Sequence, residues 1–181
     1  KMGVRDKVDG GCVKQTPHGT LAIAGTAALL SAMVAVGVMG WMCIPSEVSA
    51  LSLYIAFIAF FHLAEFFSVA STCGETSGMY DAFLLDNGME YVWAVSVAAI
   101  EFAVEWSLWG TCKGFRLVRF VGIAMAVSGQ LLRTWTILHA GPAFTHLIRL
   151  TCDQQHKLHT DGPFAKLRHP AYAGFFLWAV G

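Results

Sequence analysis

The chain has 181 residues, of which 56% are hydrophobic and only 13% are charged, and its mean hydropathy is +0.57. This composition excludes an ordinary soluble domain and indicates a protein that crosses a membrane several times. Basic and acidic residues balance to a formal net charge of zero, which excludes the overall basic field typical of proteins that bind nucleic acid.

Four apolar segments are long enough to cross the roughly 30 Å hydrocarbon core of a bilayer as helices. They comprise residues 21–44, 49–70, 89–109 and 117–140. A short turn at residues 45–48 joins the first two into a helical hairpin. A fifth apolar run opens at Pro170 and extends to Gly181. We therefore predict an all-α transmembrane helical bundle with four full spans and the start of a fifth.

The tail formed by residues 1–20 is polar and basic, whereas residues 21–181 are predicted to form a single membrane domain. Positive charge beside the first span favours a cytosolic N-terminus. Four crossings then return residues 141–168 to the cytosolic side, so a soluble ligand of this loop would come from the cytosol. Because the fifth run is short, we expect the domain to be truncated at its C-terminal end.

Ionisable residues inside the predicted spans are costly in hydrocarbon and therefore require partners. His62 and Glu65 are three residues apart, and Glu101 and Glu105 are four apart, so each pair lies on one helical face that should point into the bundle. The last two carboxylates repel each other unless one is protonated or a cation lies against them. The candidate cations are Arg133, Arg119 and His62. Three roles remain open: an interhelical polar clamp, the wall of a ligand cavity, and proton chemistry.

The loop at residues 140–168 combines turn-forming residues, aromatic rings and several cations, a mixture suited to a ligand with a carboxylate and hydroxyl groups. Gly162 and Pro163 predict a turn, because glycine permits a positive φ and proline fixes its own. Pro170 suits the first turn of a helix, so the fifth span should begin beside His169. The N–H groups of that first turn offer a site for an anion or another polar group.

Four histidines in this region raise the alternative of a metal site: His146, His156, His159 and His169. His156 and His159 are spaced suitably for one metal ion, but no recognisable carboxylate or thiolate framework accompanies them, so we expect no metal. Tyr172 lies three residues after His169 and on the same helical face, either as an interfacial anchor or as a ligand contact.

Six motifs follow one another along the chain. They are FHLAEF at 61–66, DAFLL at 81–85 with EY at 90–91, IEFAVE at 100–105, GQLLR at 129–133, AGPAFTH at 140–146 and RHPAYAG at 168–174. In this order they resemble the motifs of the isoprenylcysteine carboxyl methyltransferase family. The resemblance extends from the second predicted span to the end of the chain.

The resemblance implies an enzyme that transfers a methyl group from S-adenosylmethionine to the C-terminal carboxylate of an S-prenylated cysteine, forming a methyl ester at the membrane. The implied partners are prenylated proteins of the CaaX type and the lipid bilayer. The implied location is the endoplasmic reticulum membrane, with the cofactor loop facing the cytosol. We expect no catalytic acid or base, because a carboxylate is already nucleophilic at neutral pH and alignment with desolvation suffices.

By matched position, the cofactor-binding residues implied by the resemblance are Arg149, His156, Lys157, Leu158, His159, Phe164, His169, Pro170, Ala171 and Tyr172. Arg149 stands where the family commonly has Gln, His159 where it has a small apolar residue, and Phe164 where it has Tyr. Further polar residues are candidates for a cavity wall or for structural contacts: His62, Glu65, Glu101, Glu105, Arg133 and His146.

In the family, an arginine that steers the substrate and a glutamate that contacts the cofactor lie beyond the position of Gly181, so this chain alone should be incomplete and inactive. The alternative functions are a related membrane phospholipid-amine methyltransferase, a sterol reductase and a non-enzymatic membrane scaffold. A sterol reductase tends to read Arg-His-x-Asn-Tyr-x-Gly-Asp, whereas Ala171 and Phe175 occupy the distinguishing places here.

Overall fold

The structure, a computed structural model, describes residues 19–44, 46–73, 82–85, 88–109, 116–144 and 159–181. These segments contain α1 Thr20–Cys43, α2 Ser46–Cys73, α3 Gly88–Trp109, α4 Arg116–Ala140 and α5 Pro170–Val180, and no strand. The first four helices are long and apolar enough to cross a membrane, and α5 is a shorter apolar helix. The predicted all-α bundle with four spans is confirmed, and a fifth apolar helix begins at Pro170 as predicted.

The core lies where α2 meets α1, α4 and residues 82–85. Phe66 of α2 stacks face to face on Phe83, with ring centroids 4.1 Å apart. Half of the most apolar stretch of α2 is buried, compared with 17% of that of α1, so α2 is the more central helix. The buried residues of this core are Leu30, Ala59, Leu63, Phe66, Val69, Ala82, Phe83 and Ile137.

α4 and α5 cross in direct backbone contact at Gly129 and Gly174. A Cβ atom on Gly129 would lie 2.5 Å from the carbonyl oxygen of Gly174, and one on Gly174 would lie 2.7 Å from the carbonyl oxygen of Gly129. Small residues permit this close approach, as they commonly do between helices in membranes. The crossing therefore fixes where α5 begins relative to α4.

α3 is the least buried of the spans. None of its residues from 88 to 108 is buried, and a cavity separates it from α2, α4 and α5. Its outer side therefore faces the surroundings of the bundle, and its inner side forms a cavity wall.

Candidate functional site

A cavity of about 570 Å³ lies at the start of α5. Its volume is within the roughly 300 to 1,000 Å³ range of small-molecule sites. The first turn of α5, the segment before it and parts of α2, α3 and α4 form the wall. The structure brings together here five of the residues assigned to cofactor binding by resemblance: Phe164, His169, Pro170, Ala171 and Tyr172.

The other residues of the predicted cofactor set are placed as follows. His159 packs beside the cavity wall, with its ring centroid 5.8 Å from that of Phe164. The remaining members lie outside the described residues: Arg149, His156, Lys157 and Leu158. The same is true of His146, and the roles of all these residues stay predictions.

The segment that leads into α5 has the local structure predicted from its glycine and prolines. Gly162 has a φ of +55° and opens a 3₁₀ turn, Gly162–Ala165. Pro170 is the first residue of α5, and His169 is its N-cap. No side chain caps this helix end, so the N–H groups of its first turn remain available to a ligand.

Arg133 of α4 connects three helices at this cavity. Its Nε and Nη2 atoms donate to the two carboxylate oxygens of Glu65 on α2, and its Nη1 atom donates to the carbonyl oxygen of Ala171 at 3.2 Å. The guanidinium carbon lies 5.4 Å from the ring centroid of Phe61 and 5.5 Å from that of Phe175. Glu65 is fully buried and Arg133 nearly so, which makes this a buried, bidentate ion pair.

The two glutamates of α3 are arranged differently from the prediction that both point into the bundle. Glu101 is exposed, so the prediction is wrong for this residue. Four residues turn an α-helix through about 400°, which leaves the two side chains about 40° apart around the axis. That difference is enough for Glu105 to line a cavity with Arg119 while Glu101 lies outside it. Arg133 pairs with Glu65 rather than with these residues.

His62 of α2 holds Tyr91 of α3 in place. Its Nδ1 atom lies 2.8 Å from the carbonyl oxygen of Phe83, and its Nε2 atom lies 3.0 Å from the hydroxyl oxygen of Tyr91. A carbonyl oxygen only accepts, so in the neutral imidazole Nδ1 carries the proton and Nε2 accepts from the Tyr91 hydroxyl. This bond fixes the direction of the hydroxyl and joins α3 to the core.

We expect the substitution Tyr91→Phe to lower the free energy of unfolding by about 1 to 3 kcal/mol, because it leaves the buried Nε2 atom of His62 without this donor. Thermal unfolding of the purified protein in detergent measures the change. Tyr172→Phe is the matched control, since the Tyr172 side chain is 65% exposed. Equal losses for the two variants would contradict a structural role for the His62–Tyr91 bond.

A second cavity, of about 660 Å³, lies between α2, α3, α4 and α5. Its lining is mainly apolar, although Glu105 and Arg119 contribute to it. Tyr91, Ala94 and Phe175 line both cavities. The larger, apolar cavity and the smaller cavity at the start of α5 therefore meet along a common wall.

The end of α4 contacts the segment before α5 through His139. Its Nε2 atom lies 3.2 Å from the Oδ1 atom of Asp161, and its ring centroid is 5.9 Å from that of His159. The nearby His139 imidazole lowers the pKa of the Asp161 carboxyl. A Cβ atom on Gly162 would lie 2.6 Å from the His139 ring, so only glycine lets the chain close over it.

Several residues at these sites had not been identified as candidates from the sequence. Tyr91 and Arg168 lie in recognised motifs, yet only the structure places them on the wall of the smaller cavity. Thr136 also lines that cavity and carries no sequence signal, being a small polar residue inside a span. His139 and Asp161 are 22 residues apart in the chain, and no local pattern links them.

The fold and the two cavities define the class: a multi-pass α-helical membrane protein in which a small-molecule cavity at one end of the bundle meets an apolar cavity between the helices. The model of the isoprenylcysteine carboxyl methyltransferase family matches residues 122–181. The chain belongs to the isoprenylcysteine carboxyl methyltransferase family.

Among the relatives, a probable protein-S-isoprenylcysteine O-methyltransferase from Oryza sativa subsp. indica is 36% identical over 129 residues, which cover 71% of this chain and 66% of the relative. The protein-S-isoprenylcysteine O-methyltransferase of Schizosaccharomyces pombe is 30% identical over 180 residues, covering 91% and 75%. The solved structure of the eukaryotic intramembrane Ras methyltransferase is 28% identical, with a TM-score of 0.83, covering 90% of this chain and 58% of that one. The chain thus spans 58% to 75% of the length of these three proteins.

Proposed function

We propose that the chain is part of an S-adenosylmethionine-dependent protein-S-isoprenylcysteine O-methyltransferase. The observation that carries the proposal is the common wall of the two cavities, formed by Tyr91, Ala94 and Phe175. Methyl transfer from a water-soluble donor to the carboxylate of a lipid-modified cysteine requires two adjoining sites. One must be of mixed polarity, for the donor, and the other must be apolar, for the lipid. Membership of the family supports the same assignment.

The residues of the smaller cavity fit S-adenosylmethionine. The rings of Phe144, Phe164 and Tyr172 offer flat faces to an adenine base. The uncapped first turn of α5 and the guanidinium of Arg168 suit the carboxylate of the methionine part. The absence of the usual tyrosine hydroxyl at Phe164 removes one hydrogen bond and keeps the ring surface.

S-adenosylmethionine bound in the smaller cavity would supply a methyl group from its cationic sulfur; the methyl carbon would pass to a carboxylate oxygen of the substrate, and S-adenosylhomocysteine would leave with the electron pair of the broken carbon–sulfur bond. The chain needs no acid or base for this, because the carboxylate is already ionised at neutral pH. Its residues align the two reactants and exclude water, which favours a reaction that consumes two opposite charges. Tyr91, fixed by His62, and Phe175, packed against Arg133, keep the common wall in shape.

The larger cavity accommodates the prenyl chain of the substrate, a C-terminal cysteine of a CaaX-type protein. Its mainly apolar lining and its place beside the loosely packed α3 suit a lipid that enters between helices from the bilayer. The methyl donor enters from the cytosol, to which the N-terminal tail and the segment before α5 are assigned. Residues 21–181 act as one membrane domain in the endoplasmic reticulum membrane, with residues 1–20 as its polar tail.

Membranes from cells that express the full-length protein test this function directly. With S-adenosylmethionine labelled in the methyl group and a farnesylcysteine derivative as acceptor, we expect a base-labile methyl ester. Membranes without the expressed protein and an acceptor that lacks the prenyl group are the controls. Absence of the ester would overturn the proposal, and label in lipid amines instead would indicate a phospholipid-amine methyltransferase.

A further inference from the structure

His139, His159 and Asp161 form a cluster that the methyl-transfer chemistry does not use. His139 lies in the last turn of α4, and the other two lie in the segment that leads into α5. One potential ligand atom from each residue lies within 4.8 Å of those of the other two. The fold thus brings two imidazoles and a carboxylate to one point from distant parts of the sequence.

The distance between two of these atoms is compatible with a shared metal ion. The Nε2 atom of His139 is buried, and it lies 3.2 Å from the Oδ1 atom of Asp161, a separation that an ion pair without metal also shows. Two ligands at about 2.0 to 2.1 Å from a tetrahedral Zn²⁺ ion are about 3.3 to 3.4 Å apart. Their separation is therefore close to one edge of a zinc coordination tetrahedron.

The surroundings hold the cluster in this arrangement. Gly162, in its left-handed conformation, brings the backbone against the His139 ring. The Phe164 ring packs near both imidazoles, with centroids 6.3 Å from His139 and 5.8 Å from His159. Packing of this kind restricts the rings to few orientations, which lowers the entropy cost of binding an ion.

We propose that His139, His159 and Asp161 bind a divalent transition metal ion of the Zn²⁺ type, with water completing the coordination. Two imidazole nitrogens and one carboxylate oxygen suit Zn²⁺ and its neighbours, whereas Mg²⁺ and Ca²⁺ prefer oxygen ligands alone. The bound ion ties the segment before α5 to the end of α4. A metal site at His159 differs from the expectation from sequence that the histidines of this region bind no metal.

The test uses the purified full-length protein in detergent, with an affinity tag that binds no metal. Zn²⁺ binding is measured by competition with a chromophoric chelator, and Co²⁺ gives an absorption spectrum that reports tetrahedral coordination. We expect one tightly bound ion per chain. His139→Asn, His159→Val and Asp161→Asn should each weaken binding by at least the roughly 10- to 100-fold that loss of a residue hydrogen-bonded to a metal ligand costs.

Two controls separate this site from weak binding by other groups. Thr160→Ala changes a side chain between two of the ligands, and His169→Gln removes a histidine that is outside the cluster; both should keep the affinity of the unaltered protein. Asp161 is 76% exposed at its side chain, so Asp161→Asn should fold even if the histidine variants do not. Zn²⁺ should raise the melting temperature of the unaltered protein and not that of this variant.

Equal Zn²⁺ affinity in the unaltered protein and Asp161→Asn would overturn the proposed site. So would a loss of Zn²⁺ affinity in Thr160→Ala and His169→Gln as large as that in the ligand variants. Absence of a stoichiometric tight ion would do the same. Because every measurement is of metal binding or melting, the result is independent of whether the protein transfers methyl groups.

Discussion

Replacing Arg133 with methionine should lower the free energy of unfolding by about 3 to 5 kcal/mol, because it leaves a buried carboxylate without its charged partner. Glu65 is fully buried, and both of its oxygens accept hydrogen bonds from this guanidinium. Unfolding in detergent, followed by the fluorescence of the tryptophans, measures the loss. The same substitution removes the donor to the carbonyl oxygen of Ala171, so it should also loosen the start of α5.

The double variant Glu65→Leu with Arg133→Met tests whether the unpaired charge of Glu65 causes the loss of stability in Arg133→Met. It removes both charges, so it should lose less stability than Arg133→Met alone, as when a buried ion pair is replaced by apolar residues. Arg133→Lys is the conservative control, since lysine keeps the charge and loses the bidentate geometry. If the losses of the single variants simply add in the double variant, the two residues do not act as a pair.

Replacing Gly129 with valine should force α4 and α5 apart and lower the free energy of unfolding by about 3 kcal/mol, at the upper end of the range for overpacking. A Cβ atom there would lie 2.5 Å from both the Gly174 carbonyl oxygen and the Trp178 backbone nitrogen. Backbone atoms cannot rotate away as a side chain can, so relief requires movement of a whole helix. The first turn of α5 moves with it, and the affinity for the methyl donor should fall together with stability.

Gly25→Val is the matched control for this prediction. Gly25 is also a helical glycine in a span, but a Cβ atom on it would meet nothing within 4 Å. Its substitution should change the free energy of unfolding by less than about 0.5 kcal/mol. The same unfolding measurement serves both variants, and binding of labelled S-adenosylmethionine reports the site. Similar stability for the two variants would mean that the helix crossing tolerates separation.

The spans were predictable because hydrocarbon imposes a simple requirement on length and polarity. Each helix boundary in the structure lies within three residues of the prediction, and Pro170 begins α5 because its ring suits a first turn. The turn at Gly162 was predictable for a similar local reason. The family was also recognisable, since its motifs lie in order along the chain.

Contacts between helices were less predictable, because they depend on the rotation and approach of whole helices. Arg133 had several possible acidic partners in the sequence, and its pairing with Glu65 depends on how α4 is rotated relative to α2. The exposure of Glu101 follows from the loose packing of α3, which no hydropathy pattern indicates. His139 could be linked to Asp161 only once the return of the chain to the end of α4 was known.

Most helices must both shape the sites of a protein and form part of its buried core. Because α3 is packed loosely, its side chains can do the first with little part in the second. Its inner side chains, such as Ala94 and Ala98, shape a cavity, and none of them contributes to a buried core. A substitution of either alanine therefore alters the size of the cavity at little cost to folding, unlike a substitution of Tyr91, which is bonded to His62. If the cavity holds the prenyl chain as proposed, exchanges at these two positions would fit it to chains of different length and shape while the remaining helices preserve the fold.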